Sequence, residues 1–160
     1  MTGNGAVVRI ASGGVTLAAG TSGNMVVLGG GSATVTEQGS NVIFGGAGPT
    51  VITGAAGLTI AVGSTGAMTF NAGPGVSTVF AGTGGLTFKG GQGAAVVVGL
   101  GNPMDVTGGT GASTFFGRGN STIRAGAGAA AIMVGANGDK FYSNGAAGDL
   151  FGVNGGATGS

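Results

Sequence analysis

The chain repeats itself every eighteen residues. From Asn41-Val42-Ile43-Phe44-Gly45, steps of eighteen land on Thr59-Ile60-Ala61-Val62-Gly63, Ser77-Thr78-Val79-Phe80-Ala81 and Ala95-Val96-Val97-Val98-Gly99. Two more steps reach Ser113-Thr114-Phe115-Phe116-Gly117 and Ala131-Ile132-Met133-Val134-Gly135, with no gap needed. A second unit runs about nine residues out of phase: Thr50-Val51-Ile52-Thr53, Met68-Thr69-Phe70-Asn71, Leu86-Thr87-Phe88-Lys89, Met104-Asp105-Val106-Thr107. Units this short cannot bury their own apolar side; they must stack on the next, which is the logic of a solenoid.

Each unit is rich in Val, Ile, Thr and Phe and bounded by glycine, which is strand composition with turn signals. Glycine at this density would cost a helix about 1 kcal/mol per position. The expected fold is all-β: a parallel β-roll or β-solenoid with about 18 residues and two short strands per coil, in about eight coils. It forms one domain over 1–160, with repeats from about 7 to 152 and a short Gly-rich tail at 153–160. At ~4.8 Å per coil the rod is about 40 Å long.

Glycine supplies 42 of the 160 residues, yet the chain is 42% hydrophobic, far above a disordered segment. Three prolines and no strict Gly-x-y run exclude collagen. With no cysteine and no histidine, disulfides, thiolate chemistry and imidazole-held metals are excluded. The net charge is +1, and Arg9, Lys89, Arg118, Arg124 and Lys140 make no stripe that could neutralise phosphates. Met1-Thr2-Gly3-Asn4-Gly5 has no basic start leading into an apolar core, so no signal peptide is read there. No apolar run approaches the ~18 residues of a membrane span.

Gly138-Asp139-Lys140-Phe141-Tyr142 and Gly148-Asp149-Leu150-Phe151 carry a D-x-U core, with U a large apolar residue. Gly46-Ala47-Gly48-Pro49-Thr50-Val51-Ile52 and Gly108-Gly109-Thr110-Gly111-Ala112-Ser113-Thr114-Phe115 keep the glycines and the U position. The pattern resembles the nonapeptide-repeat β-roll of the RTX (hemolysin-type) family, G-G-x-G-x-D-x-U-x. The resemblance implies a parallel β-roll, calcium between coils held by the aspartates, and export by a leaderless route to the cell surface or beyond.

The aspartate column departs from that family. On one sheet it reads Val15, Ala33, Thr50, Met68, Leu86, Met104, Ser121, Asp139; on the other, Met25, Asn41, Thr59, Ser77, Ala95, Ser113, Ala131, Asp149. Calcium takes six to eight oxygens, and Met68, Leu86 and Met104 supply none. The expectation is a solenoid body without metal or other cofactor. Calcium is confined at most to a vestigial site at Asp139 and Asp149, with Asn137, Asn144 and Asn154 nearby.

Alternation along the strands divides the remaining positions. Inward, one sheet contributes Ile43, Ala61, Val79, Val97, Phe115, Met133 and Phe151; the other contributes Ile52, Phe70, Phe88, Val106, Ile123 and Phe141. Outward on the first sheet lie Val42, Phe44, Ile60, Val62, Phe80, Val96, Val98, Phe116, Ile132 and Val134, with no charge. Such a face is a self-association surface, and the expected partner is a second copy, in an oligomer or a filament. The outward residues of the second sheet are wet, with a threonine ladder at Thr16, Thr34, Thr69, Thr87 and Thr122 that offers an alternative role in binding ice or another surface. Asp105 and Lys140 interrupt that column. An enzyme is not expected, because Glu37, Asp105, Asp139 and Asp149 fall on different coils or sheets and no histidine can serve as base.

Overall fold

The computed structural model describes residues 5–135, 138–153 and 158–159. Its strands, in chain order, are β1 (Val7–Ile10), β2 (Val15–Ala19), β3 (Ser22–Leu28), β4 (Ala33–Glu37), β5 (Ser40–Phe44), β6 (Thr50–Thr53), β7 (Thr59–Val62), β8 (Met68–Asn71) and β9 (Ser77–Phe80). They continue as β10 (Leu86–Lys89), β11 (Ala95–Val98), β12 (Met104–Thr107), β13 (Ser113–Gly117), β14 (Thr122–Arg124), β15 (Ala130–Val134), β16 (Lys140–Tyr142), β17 (Leu150–Val153) and β18 (Thr158–Gly159). Odd strands build one nine-stranded sheet and even strands the other, each in sequential order. Neighbours within each sheet pair in parallel, as in β7 with β9 and β8 with β10. The fold is an all-β parallel solenoid of about eight turns, two strands per coil, with no helix among the described residues. Strand β18 continues the second sheet into the segment read as a tail, pairing with β16.

The core is the thin layer between the sheets. Ile43, Ala61, Val79, Val97 and Phe115 face Ile52, Phe70, Phe88, Val106 and Ile123, all but Phe88 without exposure. Aromatic contacts run along and across this layer. Phe70 and Phe88 stack with ring centroids 5.8 Å apart, and Phe115 from the opposite sheet meets Phe88 edge-on at 6.2 Å.

The period is not constant, and this corrects the first-sheet assignments near the C-terminus. Val97 pairs with Phe115 eighteen residues on, but Phe115 pairs with Ile132, a step of seventeen. The residue is lost between β13 and β14, where Gly119 (φ 90) and Asn120 (φ 53) make a tighter turn. It is regained between β16 and β17, so Ile132 pairs with Phe151. Ile132 is therefore core, 1% exposed, and not part of the outer face; Met133, expected inside, is 44% exposed. The side chain of Val134 lies outside the described residues. The N-terminal end shows the same kind of slip. Asn24, not Met25, pairs with Asn41, with an irregularity between Ser22 and Asn24.

Among the described residues nine glycines have positive φ. Elsewhere the demand is for space. A Cβ on Gly109 would fall on the carbonyl oxygen of Gly91 one coil below, and a Cβ on Gly126 on that of Gly109. Stacked turns thus press backbone against backbone, and only a residue without a side chain fits.

Candidate interaction face

Strand alternation places three outward columns on the first sheet. The middle column runs Met25, Val42, Ile60, Thr78, Val96, Thr114, Ala131, Leu150. The next runs Val27, Phe44, Val62, Phe80, Val98, Phe116, Met133. Of the ten residues expected on this face, eight are there: Val42, Phe44, Ile60, Val62, Phe80, Val96, Val98 and Phe116, half-buried or exposed. The seventeen-residue coil puts Ala131 and Met133 where Ile132 and Val134 were expected. The third column lies one residue ahead of Asn41, Thr59, Ser77, Ala95 and Ser113 and holds Ser40, Leu58, Val76, Ala94 and Ala112. Leu58 is 45% and Val76 48% exposed. Met25, Val42, Leu58 and Ile60 together line a shallow depression of about 270 Å³. The same eighteen-residue step links Leu58 to Val76, Ala94 and Ala112, but their place beside turn glycines hides them in the sequence. Among the described residues, the one charged side chain in these columns is Arg9, on the first strand.

The second sheet presents a different surface. Thr16, Thr34, Thr69, Thr87 and Thr122 do share one column, with Thr158 on its last rung, but Val51, Asp105 and Lys140 interrupt it. Beside it, Asn71, Lys89, Thr107 and Arg124 follow Thr36 and Thr53. Arg124 pairs with Asp105 at 2.6 Å and lies over the Tyr142 ring at 5.7 Å. Both members of the ion pair are well exposed, so it adds little to stability.

The aspartate column is inward, and its polar members do a backbone's work. Along the solenoid, the N–H that opens each strand usually donates to a carbonyl one coil on: Thr59 N–H to Val76 O at 2.9 Å, Ser77 N–H to Ala94 O at 2.9 Å. At Ser121 the acceptor is instead Asp139 Oδ1 (2.8 Å), and at Ala130 it is Asp149 Oδ1 (2.9 Å). Near the other end, Ala6 N–H donates to Asn24 Oδ1 (3.0 Å), and both Asn24 N–H and Asn24 Nδ2 donate to Asn41 Oδ1. Gly23, Gly138 and Gly148, which directly precede three of these residues, all have positive φ. A carboxylate or amide thus replaces the turn carbonyl as acceptor.

This geometry bears on the calcium expectation. Asp149 gives its second oxygen to the Ser143 hydroxyl (2.9 Å) and lies on the opposite sheet from Asp139. Asp139 is fully buried, and its Oδ2 and the Ser121 Oγ have no protein partner. These are two side-chain oxygens, where calcium takes six to eight ligands drawn from carboxylates, carbonyls and water. Among the described residues no three acidic side chains converge. Asn144 bonds the Gly126 carbonyl, whereas Asn137 and Asn154 lie outside the described residues. Asp139→Ala strands the Ser121 N–H inside the solenoid and will cost about 1–3 kcal/mol in urea unfolding with chelator present. Asp139→Asn, which keeps an acceptor oxygen, will recover most of that loss.

Glu37 is the residue whose role the sequence least suggests. It ends β4 pointing inward, 4% exposed, in register with Ala19. The Thr59 hydroxyl donates to Oε2, and Oε1 has no partner. Burial raises its pKa from 4.5 to about 7, against the opposing pull of the Thr59 hydrogen bond.

No family model, no curated protein and no solved structure matches this chain. Among the described residues no helix is long and apolar enough to cross a membrane.

Proposed function

We propose that this solenoid is a structural element that associates with copies of itself, through its apolar first-sheet face and its end rungs, into fibres or a matrix outside the cell. The observation that carries the reading is the face itself: three adjoining columns over nine rungs, apolar or small, with Arg9 as their one charge among the described residues. Eight steps of ~4.8 Å by two strand repeats of ~6.7 Å give about 500 Å² of flat surface. Patches of this size on soluble proteins are usually interaction sites. Burying one contributes roughly 12 kcal/mol gross, before the entropy of association is subtracted.

The proposal includes contact between the ends of the solenoid as well as between its faces. A terminal strand of a parallel sheet presents unpaired donors and acceptors that another strand can meet. Stacking of this kind does not close, so it grows into a filament. The D-x-U segments around Asp139 and Asp149, with their likeness to the RTX repeat, support export by a leaderless route. The dispersed acidic residues support a role without catalysis: Glu37 is buried, and Asp105 is held by Arg124.

Electron microscopy of purified protein at rising concentration, with chelator present, tests this. Fibres or ordered clusters are expected; particles of single-molecule size at every concentration overturn it. Val96→Lys, at a position 37% exposed in the middle of the face, will weaken association at least tenfold, read by sedimentation. It will move the unfolding free energy by no more than about 0.5 kcal/mol.

A further inference from the structure

We propose that two copies pair through this face side by side, their long axes parallel and a two-fold axis running along the seam between them. The inference rests on the self-association reading and specifies its lateral contact. A two-fold contact presents the same patch from both partners, so the patch must complement itself. About an axis along the seam, the middle column meets its own copy and the two flanking columns exchange. The Phe44 column then opposes the Leu58 column rung by rung. Phe44 meets Ser40, Phe80 meets Val76 and Phe116 meets Ala112, so each ring faces a smaller side chain. On the rung between the first two, Val62 meets the larger Leu58, and on the rung after Phe80, Val98 meets Ala94.

The antiparallel alternative lacks this fit. With an axis crossing the rod at Phe80, Phe44 opposes Phe116 and Phe80 opposes itself, while Val62 opposes Val98: large sits on large and small on small. Sliding by one coil relieves the clash but loses a rung of contact. The parallel pair keeps all nine rungs in contact and leaves Arg9 on the end rung at the rim. It buries about 1,000 Å² over both partners, the size at which specific interfaces begin.

The chain has no cysteine, so a single introduced thiol is a unique attachment point. Ser12 is an exposed turn residue near one end, and Ala147 is one near the other; neither lies on the apolar face. Ser12→Cys and Ala147→Cys, each carrying a nitroxide, report the pairing as a spin–spin distance between copies. In the parallel pair each label lies within about 30 Å of its own counterpart, and the signal vanishes when Val96→Lys is added. Long distances for both labels, beyond about 40 Å, mean an antiparallel pair and overturn the proposal. A dimer by sedimentation with no short distance at either label, or with a distance that survives Val96→Lys, overturns it while leaving self-association standing. A monomer by sedimentation with no coupling overturns both.

Discussion

Phe88→Ala will lower the unfolding free energy by about 3–5 kcal/mol, the largest loss expected of any aromatic in the chain. Phe88 sits at the middle of the rod, 1% exposed, with Phe70 stacked on one side and Phe115 edge-on from the facing sheet. The layer between the sheets is one side chain deep from each. Truncation there opens a cavity that glycine-packed turns cannot collapse to fill. Phe44 supplies the control. It belongs to the same eighteen-residue pattern but points outward, 37% exposed, and Phe44→Ala will cost about 1 kcal/mol or less in the isolated molecule. Urea unfolding of both variants at low protein concentration separates the two roles. A lowered m-value for Phe88→Ala would mean that the solenoid splits at that coil and its halves unfold separately, as repeat arrays do when one interface fails. Equal losses for the two variants would contradict the assignment of inner and outer faces.

The second large effect is on pH. Glu37 has a folded-state pKa of about 7 against 4.5 in its ordinary state, because burial disfavours its charged form. The folded chain therefore holds the proton more tightly than the unfolded chain. The stability tied to the protonated carboxyl is complete below pH 4.5, declines as pH rises toward 7, and is gone above it. The loss is roughly 3 kcal/mol, at ~1.4 kcal/mol for each tenfold change in proton affinity. With no histidine in the chain, no other side chain ordinarily changes charge between pH 5 and 8, so the slope in that window reports Glu37. Urea unfolding at several pH values from 4 to 8 will show this decline. Glu37→Gln will flatten it and leave the variant more stable than the parent above neutrality. A parent curve that is flat over the same window would contradict the buried, proton-bearing carboxyl.

The fold was legible because three to five apolar residues recur at a fixed interval between glycines, and no other architecture accommodates that spacing. Register was legible only where the units alternate in character. Thr59-Ile60-Ala61-Val62 can slip only at the expense of placing Ala61 outside and Ile60 within a layer one side chain deep. Ala131-Ile132-Met133-Val134 is apolar throughout, so sliding it by one residue leaves its pattern unchanged. Pairing with Phe115 and Phe151 decides the matter, and those partners lie a coil away in either direction. The same ambiguity placed Met25 where Asn24 stands. Of the candidate face, Phe44, Phe80 and Phe116 announced themselves by recurring every second coil. Leu58 and Val76 did not, because they lie just outside the strands. In the sequence Glu37 stands only as one of four acidic residues on different coils or sheets. Its burial follows from the alternation begun at Ala33 and Val35, carried one residue beyond the apolar run.

Sedimentation velocity of the unmodified chain in chelator, from micromolar to several hundred micromolar, tests the central claim most directly. Apolar contacts hold the rungs together, and the apolar surface left over recruits further copies. The prediction is a folded species whose sedimentation coefficient climbs with concentration through dimer to larger assemblies. A single folded monomer across the whole range would contradict the assembly, and a chain that unfolds once calcium is removed would contradict the apolar ladder beneath it.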